Sequence, residues 1–192
     1  MQPFAPIKAA VVSDFVAPLN WQPAKTLSPE NPMIFTWLND EASLTRRLRA
    51  LSQERFSVVP LTETQAVLRP DECHALNLPA ESLGWVREVY LCGNSTPWVF
   101  ARSVAGLKAL TQSGFGLESL GQRSLGELLF QDPAFTRGAF SACLYPAQFL
   151  PQALSAEPLW ARRSCFTQQG LGILVMEAFL PAFWQQLSLG EH

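Results

Sequence analysis

Hydrophobic residues recur every three or four positions after residue 33, and this spacing predicts helices. The apolar positions divide into two short amphipathic helices, and Ser43 is the predicted N-terminal cap of the second. These positions are Ile34, Trp37, Leu38, Leu44, Leu48 and Leu51. A third short helix is predicted over residues 124–130, because Ser124 precedes an apolar run and Asp132-Pro133 follows it.

Apolar runs of a different kind, alternating or continuous and rich in Val and Leu, predict β-strands. They occupy residues 56–61, 64–68, 85–92, 98–104, 160–167 and 171–180. The turn sequences GNSTP and QQG join the last four runs into two hairpins. Hairpins interleaved with helices predict an α+β domain, in which an antiparallel β-sheet has helices packed on one side.

Prolines concentrate at the start of the chain. Six of the 15 prolines lie in the first 32 residues, at positions 3, 6, 18, 23, 29 and 32. This composition predicts a proline-rich N-terminal arm over residues 1–32, followed by a single domain over residues 33–192 whose core begins near Met33. The length of 192 residues suits one domain.

Composition narrows the classes of partner. Hydrophobic residues make up 48% of the chain, and 14 basic against 16 acidic residues give a net charge of −2. This balance offers no electrostatic basis for binding nucleic acid, so we expect no nucleic-acid partner. No apolar run reaches the ~20 residues that span a bilayer, so we expect no stable membrane insertion. The expected partner is a small molecule, and nothing in the sequence demands more than a monomer.

Metal and cofactor motifs are absent from the sequence. The four cysteines (Cys73, Cys92, Cys143 and Cys165) form no C-x-x-C pair, which fits reduced thiols in the cytoplasm. His74 and His192 are the only histidines, too few for a metal cluster or a histidine-dependent triad. The chain also has no phosphate loop and no G-x-S-x-G motif. We therefore expect no metal and no cofactor.

Two charged residues lie within strongly apolar predicted strands. Strand alternation places Glu177 on the face of Ile173 and Phe179, and it places Arg87 on the face of Val89. Burying a carboxylate or a guanidinium costs several kcal/mol unless the group is paired or hydrogen-bonded. Each residue therefore needs a partner.

The pattern leaves two interpretations of this pair open. Arg87 and Glu177 form an internal ion pair, or one of them lies on an exposed edge; alternatively, both line an apolar cavity, where the arginine binds a ligand carboxylate and the glutamate a ligand hydroxyl. Arg102 alternates with Phe100 and is a candidate second inward cation. For Arg162 and Arg163 a solvated face is at least as well supported.

Four sequence blocks resemble the chorismate lyase family, in the family's order. They are WVREVYLCGNSTPWVFARSV (85–104), LGQRSLGELLF (120–130), LWARRS (159–164) and MEAFLP (176–181), with a weaker match in WLNDEASLTRRL (37–48). The resemblance covers most of the chain from residue 35 to residue 181 and leaves out the proline-rich arm.

The resemblance implies an antiparallel sheet and a ligand cavity closed under helical flaps. It assigns Arg87 to the product carboxylate, Glu177 to the ring hydroxyl, and Leu125 to a cavity contact. Leu44 stands where the family often has Met, a change that keeps the site apolar at similar volume. A further hypothesis is that Arg102 helps to bind the enolpyruvyl carboxylate.

The implied activity is the cofactor-free conversion of chorismate to 4-hydroxybenzoate and pyruvate, in the pathway to ubiquinone. The competing class is a binding module, since the effector-sensing domains of some transcription regulators resemble chorismate lyase in fold. A purely structural protein is the third class. It would gain support if Arg87 and Glu177 were paired with each other and had no cavity beside them.

Overall fold

A computed structural model describes residues 19–151 and 154–189. Six α-helices lie in this part of the chain: α1 (Pro32–Asn39), α2 (Leu44–Leu51), α3 (Pro70–Ala75), α4 (Leu107–Ser113), α5 (Leu125–Gln131) and α6 (Pro181–Leu189). The strands are β1 (Gln22–Pro23), β2 (Phe56–Val67), β3 (Leu83–Gly93), β4 (Thr96–Gly106), β5 (Thr136–Arg137), β6 (Ser141–Tyr145), β7 (Leu159–Gln168) and β8 (Leu171–Phe179).

The eight strands form one antiparallel sheet in the order β1-β6-β7-β8-β4-β3-β2, and β5 pairs with β7 beside β6. Both predicted hairpins are confirmed as β3–β4 and β7–β8. Positive backbone φ angles at Asn94 and Ser95, and at Gln169 and Gly170, place tight turns between their strands. The two runs predicted at residues 56–61 and 64–68 belong to a single strand, because a bulge after Pro60 keeps both paired with β3.

The predicted helices α1, α2 and α5 are present, and side-chain capping explains where all three begin. At α1 the Asn31 side chain accepts a hydrogen bond from the Met33 backbone N–H. The Ser43 hydroxyl accepts a hydrogen bond from the Arg46 backbone N–H, and the Ser124 hydroxyl accepts one from Glu127 N–H. Sequence reasoning missed the remaining three helices. Two of these, α3 and α6, begin with a proline, which is favourable in the first turn because its absent N–H needs no partner there.

Helices cover the two faces of the sheet unequally. Buried side chains of α1, α2, α4 and α5 pack against one face, as does Phe183 of α6, and we call this the helix-covered face. An aromatic cluster fixes α1 and α6 there, with Phe183 meeting Trp37 at 4.8 Å and Phe179 at 5.2 Å between ring centroids. The opposite face is covered by α3 and by the segments around Trp21 and Phe149. The predicted one-sided arrangement therefore holds for five of the six described helices.

The described part of the N-terminal arm is packed against the domain. Strand β1 pairs with β6, Ala24 is fully buried, and the Trp21 indole donates a 2.9 Å hydrogen bond to Asp71. The buried core therefore begins before Met33, because pairing at the sheet edge carries the chain into it. Residues 1–18 of the predicted arm lie outside the described residues. Within the described part, no helix has the length and hydropathy needed to cross a membrane.

Candidate functional site

Strand register places Arg87 and Glu177 on the same face of the sheet. On β4, Ser103 lies opposite Arg87 and Ala101 lies opposite Glu177, so that β4 runs between the two charged residues. Neighbouring strands are about 4.8 Å apart, so β3 and β8 are separated by roughly 10 Å. The side chains of Ala101 and Ser103, which lie between them on β4, are small. The helix-covered face therefore has a guanidinium and a carboxylate, with small side chains on the strand between them.

The Arg87 guanidinium is almost fully buried, at 2% exposure. Its Nε donates to the Glu63 carboxylate at 2.9 Å, and Nη2 donates to the carbonyl oxygens of Gly121 at 2.7 Å and Arg123 at 3.1 Å. Among the described residues, Nη1 has no hydrogen-bond acceptor. Arg87 thus holds the loop before α5 and keeps donor capacity for a further partner.

Glu177 is bound by Arg162, a residue for which the sequence supported a solvated face at least as well as an inward position. Arg162 is 1% exposed, and its Nε donates to Glu177 Oε2 at 2.7 Å. Its Nη1 donates to the carbonyl oxygens of Trp37 at 2.8 Å and Asp40 at 2.9 Å. Within the described chain, Glu177 Oε1 accepts no hydrogen bond. The solvated-face interpretation is wrong because β7 lies inside the sheet, between β6 and β8, with both faces covered.

The two buried arginines act alike. We call residues 32–51, with α1 and α2, the first flap, and residues 120–131, with α5, the second flap. Arg162 binds backbone carbonyls of the first flap, and Arg87 binds those of the second. Each arginine is also paired with a different glutamate, so the alternative of a direct Arg87–Glu177 ion pair is not what the structure contains.

The flaps meet at the first residues of α2 and α5. Leu44 and Leu125 occupy these positions, and both are buried. Beside them, the hydroxyl oxygens of Thr45 and Ser124 are 2.8 Å apart and hydrogen-bonded. Nearer the surface, Arg49 Nε donates to Glu127 at 2.9 Å. A cleft of about 320 Å³ opens along this seam and is lined by Ala42, Ser43, Arg46, Arg49, Glu127, Phe130 and Gln131. The structure thus gathers Leu44, Arg87, Leu125 and Glu177 under two bridged flaps.

Arg102 lies on the opposite face of the sheet, so the prediction that it binds substrate with Arg87 is wrong. Alternation along β4 turns Ala101 and Ser103 toward the helix-covered face and Arg102 away from it. There Arg102 donates to both Glu72 oxygens, at 2.6 and 3.0 Å, and to Glu88 at 2.8 Å. Burial disfavours its charge, but these two carboxylates outweigh that effect and raise the pKa of Arg102.

Charge near the first flap is also controlled by arginines. Burial raises the pKa of Asp40, but hydrogen bonds from the Ala42 N–H and Arg47, with the charges of Arg47 and Arg162, bring it below its usual value. Asp40 is therefore ionised at neutral pH.

Trp85, two residues before Arg87 on the same face, has a buried Nε1 without a partner among the described residues, and a ligand or water atom can accept from it. The described residues contain no cluster of three or more His, Cys, Asp or Glu side chains placed to hold a metal.

The site is suited to a small carboxylic acid that carries a hydroxyl group at its other end. A buried guanidinium has a free donor, a carboxylate roughly two strands away has a free acceptor, and buried apolar residues, among them Leu44 and Leu125, cover the same face. Fold and site together define an α+β domain whose helix-covered face is suited to a small, partly apolar anion.

Comparison with known proteins gives the family. The chorismate lyase family model matches residues 16–189, and the chain belongs to that family. A probable chorismate pyruvate-lyase from Pseudomonas aeruginosa is 54% identical over 171 residues, which are 89% of this chain and 96% of the relative. A probable chorismate pyruvate-lyase from Pseudomonas syringae pv. tomato is 51% identical over 179 residues, covering 93% and 96% of the two chains. The protein is a lyase.

Solved structures of low sequence identity share the fold. A possible transcriptional regulator, YydK from Bacillus subtilis, superposes with a TM-score of 0.50 at 11% identity, over 67% of this chain and 60% of that chain. PhnF from Mycobacterium smegmatis gives a TM-score of 0.50 at 10% identity, over 74% and 65%. At these identities the likeness concerns the fold alone.

Proposed function

We propose that this protein converts chorismate to 4-hydroxybenzoate and pyruvate, the first step toward ubiquinone. Arg87 binds the ring carboxylate through its free Nη1, and Glu177 accepts a hydrogen bond from the ring hydroxyl at its free Oε1. Leu44 and Leu125 contact the ring from the two flaps. The observation that carries the proposal is that these two charged groups on one covered face each keep one unsatisfied atom.

The reaction balances without any added group. The bond between the ring and the enolpyruvyl ether oxygen breaks, and the ring carbon that bears the hydroxyl loses its hydrogen. The ring becomes aromatic, and the enolpyruvyl group gains one hydrogen at its methylene carbon and leaves as pyruvate. No oxidant, reductant or metal enters this balance.

Positioning and exclusion of water supply the catalysis in this proposal. Glu177 is itself fixed by Arg162, so it holds the ring hydroxyl and the departing hydrogen in one orientation. Holding reacting groups in a productive geometry can lower a barrier by about 7–11 kcal/mol, and a buried site strengthens each polar contact. Closed flaps also imply that product release is slow.

The proposal is tested by incubating purified protein with chorismate. 4-Hydroxybenzoate is followed by its ultraviolet absorbance and pyruvate by a coupled assay, and the two should form in equal amounts. Glu177→Ala should lower turnover at least about 100-fold, the scale of a lost positioned proton-handling group. Glu177→Gln keeps a hydrogen-bond acceptor for Arg162, and it separates lost chemistry from lost folding. Glu30→Ala, at an exposed glutamate before the first flap, is the matched control.

Two results would contradict the lyase assignment or the role of Glu177. Full activity in both Glu177 variants would remove this residue from the site. Absence of turnover by the wild-type protein, combined with tight binding of 4-hydroxybenzoate, would instead support a sensor of aromatic acids, the class suggested by the shared fold with a possible transcriptional regulator.

We further propose that the protein acts in the cytoplasm as a monomer, without nucleic acid. Four free cysteines, three of them buried, support a reducing compartment. A net charge of −2 gives no general attraction for nucleic acid.

A further inference from the structure

The proposed substrate carries two carboxylates, and its aromatic product carries one. Arg87 accounts for the carboxylate on the ring, which substrate and product share. The enolpyruvyl carboxylate needs its own cation on the helix-covered face, and Arg102 is excluded because it lies on the other face with two glutamates.

Arg137 occupies that face close to Glu177. It lies on β5 opposite Phe166, whose side chain belongs to the core of the helix-covered face. The Arg137 guanidinium carbon is 4.5 Å from the centroid of the Phe140 ring, and that of Arg162 is also 4.5 Å from the same ring. Arg137 and Arg162 therefore contact the same Phe140 ring, and Arg162 is the residue that binds Glu177.

The Arg137 charge is held in place without being neutralised. Its guanidinium carbon is 4.8 Å from the Phe130 ring and 5.7 Å from the Phe166 ring, and cation–π contacts of this kind favour a cation without using its hydrogen-bond donors. Its recorded hydrogen bond runs from Nη2 to the carbonyl oxygen of Glu41 in the first flap. Among the described residues, no carboxylate lies within salt-bridge distance of Arg137, and its Nε and Nη1 have no acceptor.

Other arginines near the seam are less suited to the role. Arg47 is paired with Asp40, and Arg49 with Glu127. Arg46 is exposed on the outer side of α2. Burial and the nearby Arg162 charge lower the pKa of Arg137, while Glu177, Glu41 and Asp40 act in the opposite direction. An arginine remains protonated at neutral pH despite such a shift, so the positive charge persists.

We propose that Arg137 binds the enolpyruvyl carboxylate of the substrate, an inference that rests on the proposed lyase function. Through Phe130 and the Glu41 carbonyl, Arg137 also contacts both flaps. The ring carboxylate of the substrate therefore binds Arg87 under the second flap, and the enolpyruvyl carboxylate binds Arg137 between the first and second flaps. The aromatic product, which lacks the second carboxylate, makes no contact with Arg137.

The test compares Arg137→Gln and Arg137→Lys with Arg55→Gln, which removes an exposed charge before β2. Arg137→Gln should lower kcat/KM for chorismate about 10- to 100-fold, the scale of a lost hydrogen bond to a charged group. Its Kd for 4-hydroxybenzoate should change less than about threefold. Arg137→Lys should recover part of kcat/KM because it restores the charge. Arg55→Gln should match the wild type in both measurements.

Binding provides a readout that does not depend on turnover. Chorismate affinity is measured by calorimetry in Glu177→Ala and in Glu177→Ala/Arg137→Gln, with thermal melts to check folding. A weaker affinity for chorismate alone in the double variant supports the inference. Unchanged chorismate affinity, or an equal loss of affinity for chorismate and 4-hydroxybenzoate, would overturn it. Failure of the wild type to turn over chorismate refutes the lyase proposal separately, because the binding comparison still reports on Arg137.

Discussion

Each face of the sheet buries two strand arginines, but the partners of these arginines differ. On the helix-covered face, Arg87 and Arg162 each bind one glutamate and two backbone carbonyls of a flap. On the opposite face, Arg102 binds two glutamates and Arg163 binds the Asp71 carboxylate. The Glu72 oxygens are both hydrogen-bonded, whereas only one Glu177 oxygen is.

This difference separates a structural charge network from a site that can accept a ligand. Where each guanidinium nitrogen binds a carboxylate, as at Arg102, the charge network satisfies the arginine and its role is in stability. At Arg87, backbone carbonyl oxygens and Glu63 occupy Nε and Nη2, and Nη1 has no acceptor among the described residues. On the same face, Glu177 Oε1 has no donor among those residues. Burial of an arginine alone therefore does not identify a site. The signal at Arg87 is an unused donor on the same face of the sheet as the unused acceptor of Glu177.

Among the substitutions that test this comparison, replacing Arg102 should have the largest effect, and that effect is on the stability of the protein. Arg102→Met leaves the buried Glu72 and the partly buried Glu88 without this cation, which should lower the free energy of unfolding by about 3–5 kcal/mol. Denaturant unfolding measures this loss. Arg49→Met, which breaks a half-exposed pair, should cost less than about 1 kcal/mol. A changed KM for chorismate in the folded Arg102 variant would contradict its placement outside the site.

The second effect concerns activity, at Arg87. Arg87→Lys keeps the charge, but an ammonium group cannot bind Glu63, two flap carbonyls and a ligand carboxylate in the same geometry. We expect kcat/KM for chorismate to fall about 10- to 100-fold and 4-hydroxybenzoate to bind correspondingly more weakly. Lys108→Arg, on α4, is a control at an exposed cation. Unaltered product affinity in Arg87→Lys would exclude Arg87 as the carboxylate ligand.

The smallest effect concerns the bridge between the flaps. Thr45→Val removes the hydrogen bond to Ser124 at nearly constant volume, and one such bond contributes about 1 kcal/mol. The dissociation rate of 4-hydroxybenzoate, followed by stopped-flow fluorescence, should rise about fivefold. Thr36→Val in the same flap loses an exposed hydrogen bond within α1 and should leave the rate unaltered. If both variants release product equally fast, the bridge does not control opening.

Much of the sheet could be predicted because hairpin turns fix strand register. Counting outward from the turn at Gln169 and Gly170 pairs Arg162 with Glu177, so the sequence already contained the signal for that ion pair. Counting from the first hairpin fails, because the register of Gly93 with Thr96 would pair Arg87 with Arg102. An irregularity between Leu91 and Cys92 shifts the register, so that Arg87 pairs with Ser103 and Arg102 turns to the other face. The Arg162 error came from using alternation along a single strand without the register between strands, whereas the Arg102 error depended on a shift in register that counting from the turn does not reveal.

Other parts of the fold could not be derived from local pattern. Strand β1 has only two residues and exists because its partner β6, about 120 residues later, offers an edge. Arg137 shows no signal in the sequence, since one arginine in a short polar segment resembles a surface residue. Its position depends on three phenylalanines brought together from α5, β7 and the segment before β6. Contacts between residues that are distant in sequence decide these features.

The hydrogen bonds from Arg162 to Trp37 and Asp40 also have a consequence for the order in which the protein assembles during synthesis. They join residues 125 and 122 positions apart in sequence, and Glu177, which holds Arg162, emerges from the ribosome later still. Contacts this distant form late, after the entropy of closing the intervening loop has been lost. A nascent chain that ends before residue 177 contains Arg87 and both flaps. It lacks the carboxylate that neutralises the arginine holding the first flap.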